Sequence, residues 1–225
     1  MRLTTALARL AAAALVLAAI VAQFFNGLAF AEGREPASAT IVNFFSYFTV
    51  QSNILTVVVF VLGAISLLRS GQDGPGLSVF RVMVATYMVT TGVVYNTLLR
   101  GIAMPEGQIV PWSNEVLHVL GPLLVLLDWL LAPGRRRLEW RAIRAIVAFP
   151  IVWAVYTLIR GPIVDWYPYP FLDVGANGYV ASLVSTALVA VVFLALAFGA
   201  GWLDQRMKLG ADSPSRRQGP PGPGR

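Results

Sequence analysis

The sequence predicts an all-α fold, a polytopic integral membrane bundle of six transmembrane helices with both termini cytoplasmic. Three observations predict it. The 225 residues are 57% hydrophobic and 12% charged, against roughly 25% charged in soluble domains, and the mean hydropathy is +0.69. Six apolar stretches each approach or exceed the ~20 residues that cross a bilayer. The lysines and arginines lie almost entirely on one side of those stretches.

The stretches fall at about 5–26, 41–67, 79–99, 113–132, 142–160 and 179–203. The first follows Arg2 and Arg9 and ends near "AFA" at 29–31, which also fits a cleaved secretory signal. The apolar run from Leu10 to Phe25, closed by polar Asn26, favours a retained span. The second reads as one continuous helix through "NFFSYFTVQSNIL" (43–55) into "TVVVFVLGAISLL". The third starts after "GQDGPG" (71–76), and the fourth lies between "PEG" (105–107) and "PGRRR" (133–137). The fifth and sixth flank the long loop "GPIVDWYPYPFLDVGANG" (161–178). Residues 1–209 thus form one domain. The tail 210–225, rich in Pro, Gly, Ser and Arg, is expected to be disordered.

With the N-terminus inside, fourteen of the 17 Lys and Arg residues fall in inner segments, and only Arg34, Arg100 and Arg160 fall outside. That asymmetry sets both termini on the cytoplasmic side of a cell membrane. It also explains the pI of about 10.2 as a topology signal, with affinity for anionic lipid, rather than as a nucleic-acid footprint. The chain has no cysteine and one histidine. Disulfides, thiolate chemistry and His-rich metal clusters are excluded, and no cofactor is implied.

Polar side chains inside a bilayer are costly and face helices or a cavity. At about 1.5 Å per residue, Thr49 lies roughly 12 Å below the outer entry of the second helix and His118 roughly 9 Å below that of the fourth. Ser46, Thr49, Asn53 and Thr56 share a helical face, as do Asn114, Glu115 and His118. Thr91, Tyr95 and Tyr156 join the same outer half, whereas Gln51 lies off the stripe. This pattern predicts a polar cavity opening toward the outer leaflet. The bland alternative is that membrane Ser and Thr residues bond their own i−4 carbonyls or hold helices together. By the same reasoning Asp128 is a partner for arginine, and Asp165 and Asp173 are solvated loop charges. Arg100 and Arg160 are interface anchors or holders of a substrate carboxylate.

Three stretches, "YFTVQSNIL" (47–55), "WSNEVLH" (112–118) and "YPFLD" (169–173), resemble the androgen-induced and androgen-dependent multispanning membrane proteins. Those are threonine hydrolases of fatty acid esters of hydroxy fatty acids, and related membrane proteins occur widely in actinobacteria. The resemblance covers about residues 40–200. It implies six spans, a catalytic threonine at Thr49 and a catalytic histidine at His118. The animal relatives commonly carry a second histidine where this chain has Glu115, and the residues after Thr49 differ. The implied chemistry is lipid-ester hydrolysis, with His118 as base for the Thr49 hydroxyl. Glu115 or Asn114 would orient the imidazole, and Asn43, Asn53, Tyr95 or Tyr156 would stabilise an oxyanion. Ser46 lines the site. The expected partners are membrane lipids and an amphiphilic ester, with no nucleic acid. The alternative is a non-catalytic lipid- or small-molecule-binding membrane protein or accessory subunit.

Overall fold

The computed structural model describes residues 2–131 and 142–209. They form helices α1 (Arg2–Ala31), α2 (Ala37–Ser46), α3 (Phe48–Arg69), α4 (Pro75–Val94), α5 (Pro111–Glu115), α6 (Gly121–Leu131), α7 (Ala142–Val164) and α8 (Val174–Leu209). One π-turn, Tyr95–Leu99, continues α4, and a second, Val116–Leu120, joins α5 to α6. Six helical segments are long and apolar enough to cross a membrane: Arg2–Ala31, Phe48–Arg69, Pro75–Leu99, Pro111–Leu131, Ile146–Val164 and Val174–Leu203. The chain is all-helical among the described residues and has the make-up of a multi-pass membrane protein. The basic stretch 133–137 and the tail 210–225 lie outside the described residues.

Lipid solvates apolar side chains, so the outer faces carry Val152, Ile159, Val180 and Leu188 exposed, and helices associate through close packing rather than hydrophobic exclusion. On α1, Ala6, Ala13 and Ala19 are buried; on α3, Gly63 and Ala64 are. The Arg9 guanidinium lies over Gly63, where an added Cβ would sit 3.2 Å from its Nη1, and donates to the Gly63 carbonyl at 2.6 Å.

Arg9 belongs to a buried chain of charges. Its Nε meets Asp128 at 2.9 Å, Arg81 meets Asp128 at 2.6 Å, and Arg81 also meets Asp73 at 2.5 Å. Asp128 therefore has two arginine partners from α1 and α4. Neither is a member of the basic stretch that follows α6. Charges removed from water persist only when paired and hydrogen-bonded. This clamp ties α1, α4, α6 and the turn before α4 together at the end of the bundle where Arg2 lies over Gly71.

Prolines in membrane helices free carbonyls that another group must satisfy. Pro150 in α7 cannot bond the carbonyl of Ile146, and the buried Tyr87 hydroxyl of α4 donates to it at 2.9 Å.

The expected single helix over 41–67 is two helices. Tyr47 is extended (φ −67, ψ 127) between α2 and α3. The groups that a continuous helix would pair internally find other partners. The Gln51 amide donates to the Phe45 carbonyl at 2.8 Å, and the Trp153 indole N–H to the Ser46 carbonyl at 2.9 Å. The Thr49 N–H donates to the Tyr169 hydroxyl at 3.1 Å. Gln51, off the polar stripe in sequence, is thus the local cap of the break.

Candidate functional site

The break decides what Thr49 can do. Ser46, Thr56, Thr86, Thr90, Thr97 and Thr186 all donate their hydroxyls to the carbonyl four residues earlier, the bland arrangement for membrane helices. Thr49 sits in the first turn of α3, and the carbonyl four residues back is taken by Gln51. Its Oγ1 instead meets the Tyr169 hydroxyl at 3.1 Å.

Tyr169 is carried by the loop between α7 and α8, where Pro170–Leu172 forms one turn of 3₁₀ helix. Its ring stacks on Phe171 and packs against Tyr47 and Trp153. Burial pushes its phenol above the ordinary tyrosine value, and the hydrogen bonds with Thr49 and the Phe48 backbone oppose that shift without cancelling it. It keeps its proton at neutral pH. The loop is anchored at its end by Asp173, whose carboxylate accepts from the Ala176 N–H and caps α8. Asp173 is thus a helix cap rather than a free loop charge.

His118 lies on the π-turn Val116–Leu120, where the Gly121 N–H bonds the Val116 carbonyl five residues back. Two residues explain the widened turn. Pro122 has no N–H for the carbonyl of His118. Gly121 admits the close approach, since a Cβ there would lie 2.9 Å from the Val116 carbonyl. Such bulges re-aim side chains and gather at functional sites. The His118 Nδ1 meets the Asn114 carbonyl at 3.0 Å. A carbonyl only accepts, so the proton sits on Nδ1 and Nε2 is the basic nitrogen. Tyr95, on the other π-turn, stacks on the imidazole with ring centres 4.2 Å apart. The Asn114 amide fixes Tyr95 by donating to its hydroxyl at 2.6 Å.

Thr49 and His118 both line one cavity of about 230 Å³. Tyr95, Thr91, Trp153 and Tyr169 line it too, and α7 and α8 close it with apolar side chains such as Ile151, Val189 and Phe193. The buried Thr91 hydroxyl has no hydrogen-bond partner among the described residues. Thr49 Oγ1 bonds Tyr169 and not the imidazole, so the two named residues share a cavity without touching through a hydrogen bond.

The other residues expected at the site take different places. Glu115 does not orient His118: it pairs with Arg100 at 2.7 Å, both half exposed, and Asn114 orients the ring through its backbone instead. That pairing also occupies Arg100. The Asn53 amide donates to the carbonyls of Thr49 and Leu117, so it joins α3 to the His118 turn and is no oxyanion donor. Tyr156 meets Ser46 at 2.8 Å, and both stand outside the cavity lining. Asn43 accepts from Arg160 at 2.7 Å, whose guanidinium lies 5.3 Å from the Trp166 ring centre.

Sequence reasoning passed over Tyr169 as a site residue. Tyr169 opens the third resembling stretch, but nothing in its spacing shows that the loop folds back onto the start of α3. Among the described residues no group of His, Asp and Glu is placed to hold a metal ion. No family model matches the chain, and neither a curated protein nor a solved structure matches it.

Proposed function

We propose that this protein is an integral-membrane lipid-ester hydrolase that uses Thr49 as nucleophile and His118 as base. One observation carries the reading: Thr49, unlike the back-bonded Ser and Thr residues around it, has a hydroxyl released from its own helix, and it shares a cavity with the chain's single histidine. The resemblance to the multispanning threonine hydrolases points to the same two residues.

In this reading Thr49 Oγ1 forms a bond to the ester carbonyl carbon, and the carbonyl π pair moves onto its oxygen. The Thr49 proton passes to His118 Nε2. Collapse restores the carbonyl and breaks the bond to the alcohol oxygen, which takes the proton from Nε2. Water then attacks the acyl-threonine, giving its proton to Nε2, and the acid leaves as Thr49 Oγ1 recovers that proton. The Oγ1–Nε2 hydrogen bond forms in the substrate complex, as such contacts often tighten only there. The apolar walls suit a substrate with an aliphatic chain. The test is hydrolysis of a p-nitrophenyl acyl ester by the purified protein in detergent. Wild-type turnover that disappears in Thr49→Ala is the expected result; equal turnover by both sinks the assignment.

The cavity end is proposed to face the outside of a cell membrane, with both termini in the cytoplasm, because the arginine-rich segments belong to the opposite end. A chain with no native cysteine makes this simple to test. An impermeant maleimide applied to intact cells is expected to label Glu106→Cys and to spare Gln72→Cys; the reverse pattern inverts the topology.

A second reading, a non-catalytic lipid-binding protein using the same cavity, is favoured by the Thr49 bond to Tyr169 in place of His118. It expects co-purifying lipid and no turnover.

A further inference from the structure

We propose that Tyr169 is a third catalytic residue, the donor that stabilises the oxyanion when Thr49 attacks an ester carbonyl; this rests on the hydrolase reading above. The Tyr169 hydroxyl sits at the start of α3: it accepts from the Thr49 N–H and meets Thr49 Oγ1, each at 3.1 Å, and the Phe48 backbone also hydrogen-bonds it. The contact admits either hydroxyl as donor; in the proposed role the phenol, whose oxygen accepts from backbone N–H, directs its single proton at Oγ1. Thr49's own proton is thereby left for the base.

The arrangement favours the transition state over the ground state, which is what accelerates a reaction. Before attack, the phenol donates to a neutral hydroxyl oxygen. As the Oγ1–C bond forms, Oγ1 becomes an ester-type oxygen and a weaker acceptor. The former carbonyl oxygen, bonded to the same carbon, gains the negative charge. A small rotation of the phenol O–H shifts the donated bond from Oγ1 to that oxygen, and no proton is transferred. The Thr49 N–H holds the phenol oxygen in place throughout, and it lies in the first turn of a 22-residue helix, whose positive end favours developing negative charge nearby. The ring needs no reorganisation, because Tyr47, Trp153 and Phe171 already pack around it. None of the oxyanion donors expected from sequence reaches Thr49 Oγ1. Asn43 Oδ1 accepts from Arg160, the Asn53 amide donates to backbone carbonyls, and the hydroxyls of Tyr95 and Tyr156 meet Asn114 and Ser46.

Tyr169→Phe deletes one oxygen and keeps the ring contacts. The experiment measures p-nitrophenyl ester hydrolysis by full-length wild type, Tyr169→Phe and protein carrying 3,5-difluorotyrosine at position 169, together with the Tm of each. We expect kcat to fall about 10²–10³-fold in Tyr169→Phe with KM changed less than about threefold, the range seen on removing one oxyanion donor. The difluorotyrosine protein, which retains the hydroxyl, is expected to keep activity within about tenfold of wild type. A Tyr169→Phe enzyme with kcat within about threefold of wild type overturns the proposal and leaves the hydrolase reading standing. Loss of kcat in both altered proteins with equal loss of Tm also overturns it, by making Tyr169 structural. A wild type that neither turns over nor reacts with a fluorophosphonate overturns both readings together.

Discussion

His118→Ala is expected to lower the turnover of an acyl ester by about 10²–10⁴-fold, the contribution of a positioned general base, while leaving the bundle folded. The loss is chemical because the ring's structural ties are few. It bonds the Asn114 carbonyl within its own segment and stacks on Tyr95, whose hydroxyl is held independently by the Asn114 side chain. Asn53 joins the neighbouring Leu117 carbonyl to α3 and keeps the π-turn in place without the imidazole. Steady-state kinetics beside a thermal unfolding curve check this. Turnover within about threefold of wild type means another group is the base, since so small a change lies far below what a lost base costs.

The largest stability effect is expected at the opposite end of the bundle. Asp128→Ala should destabilise the protein by about 3–5 kcal/mol, the usual cost of breaking a buried ion pair by removing one partner. Its carboxylate is shared by Arg9 and Arg81, which are 2% and 3% exposed. After the substitution Arg81 keeps Asp73, but among the described residues Arg9 retains only the Gly63 carbonyl. The cost follows from the stranded charge, so Arg9→Met in the Asp128→Ala background should recover part of it, a non-additivity that marks residues acting as a unit. Thermal unfolding of the four proteins in one detergent provides the cycle. Additive losses contradict the shared clamp. The account also expects Asp128→Ala to leave KM little changed in whatever fraction stays folded, because the cavity lining does not include the clamp.

Much of this architecture is legible in the chain because the bilayer imposes it. Six apolar stretches between glycines, prolines and charges read directly as six spanning segments, and an Asp128 within the fourth of them demands cations. What does not read is where a helix breaks without a breaker. Residues 43–55 contain neither Gly nor Pro, and the break at Tyr47 depends on partners distant in sequence, Trp153 and Tyr169, which satisfy the released groups. The helical stripe of Ser46, Thr49 and Asn53 consequently loses Ser46. Ser46 ends α2 and bonds Tyr156, Asn53 turns to backbone carbonyls, and Thr49 alone reaches the cavity. Likewise Glu115 at i−3 from His118 is well spaced for contact on a regular helix, but the π-turn that begins at Val116 and the cation at Arg100 draw them apart. Tyr95 and His118 meet in one half of the bundle; their stacking comes from two π-turns, and only Pro122 hints at one of them.

Covalent mapping decides whether Thr49 is a nucleophile served by His118. Purified protein treated with a fluorophosphonate is digested and the adduct located by mass spectrometry. A single adduct on the Thr49 hydroxyl is expected, absent from Thr49→Ala and formed at least about a hundredfold more slowly in His118→Ala. An adduct on another residue, or labelling that survives Thr49→Ala unchanged, contradicts it.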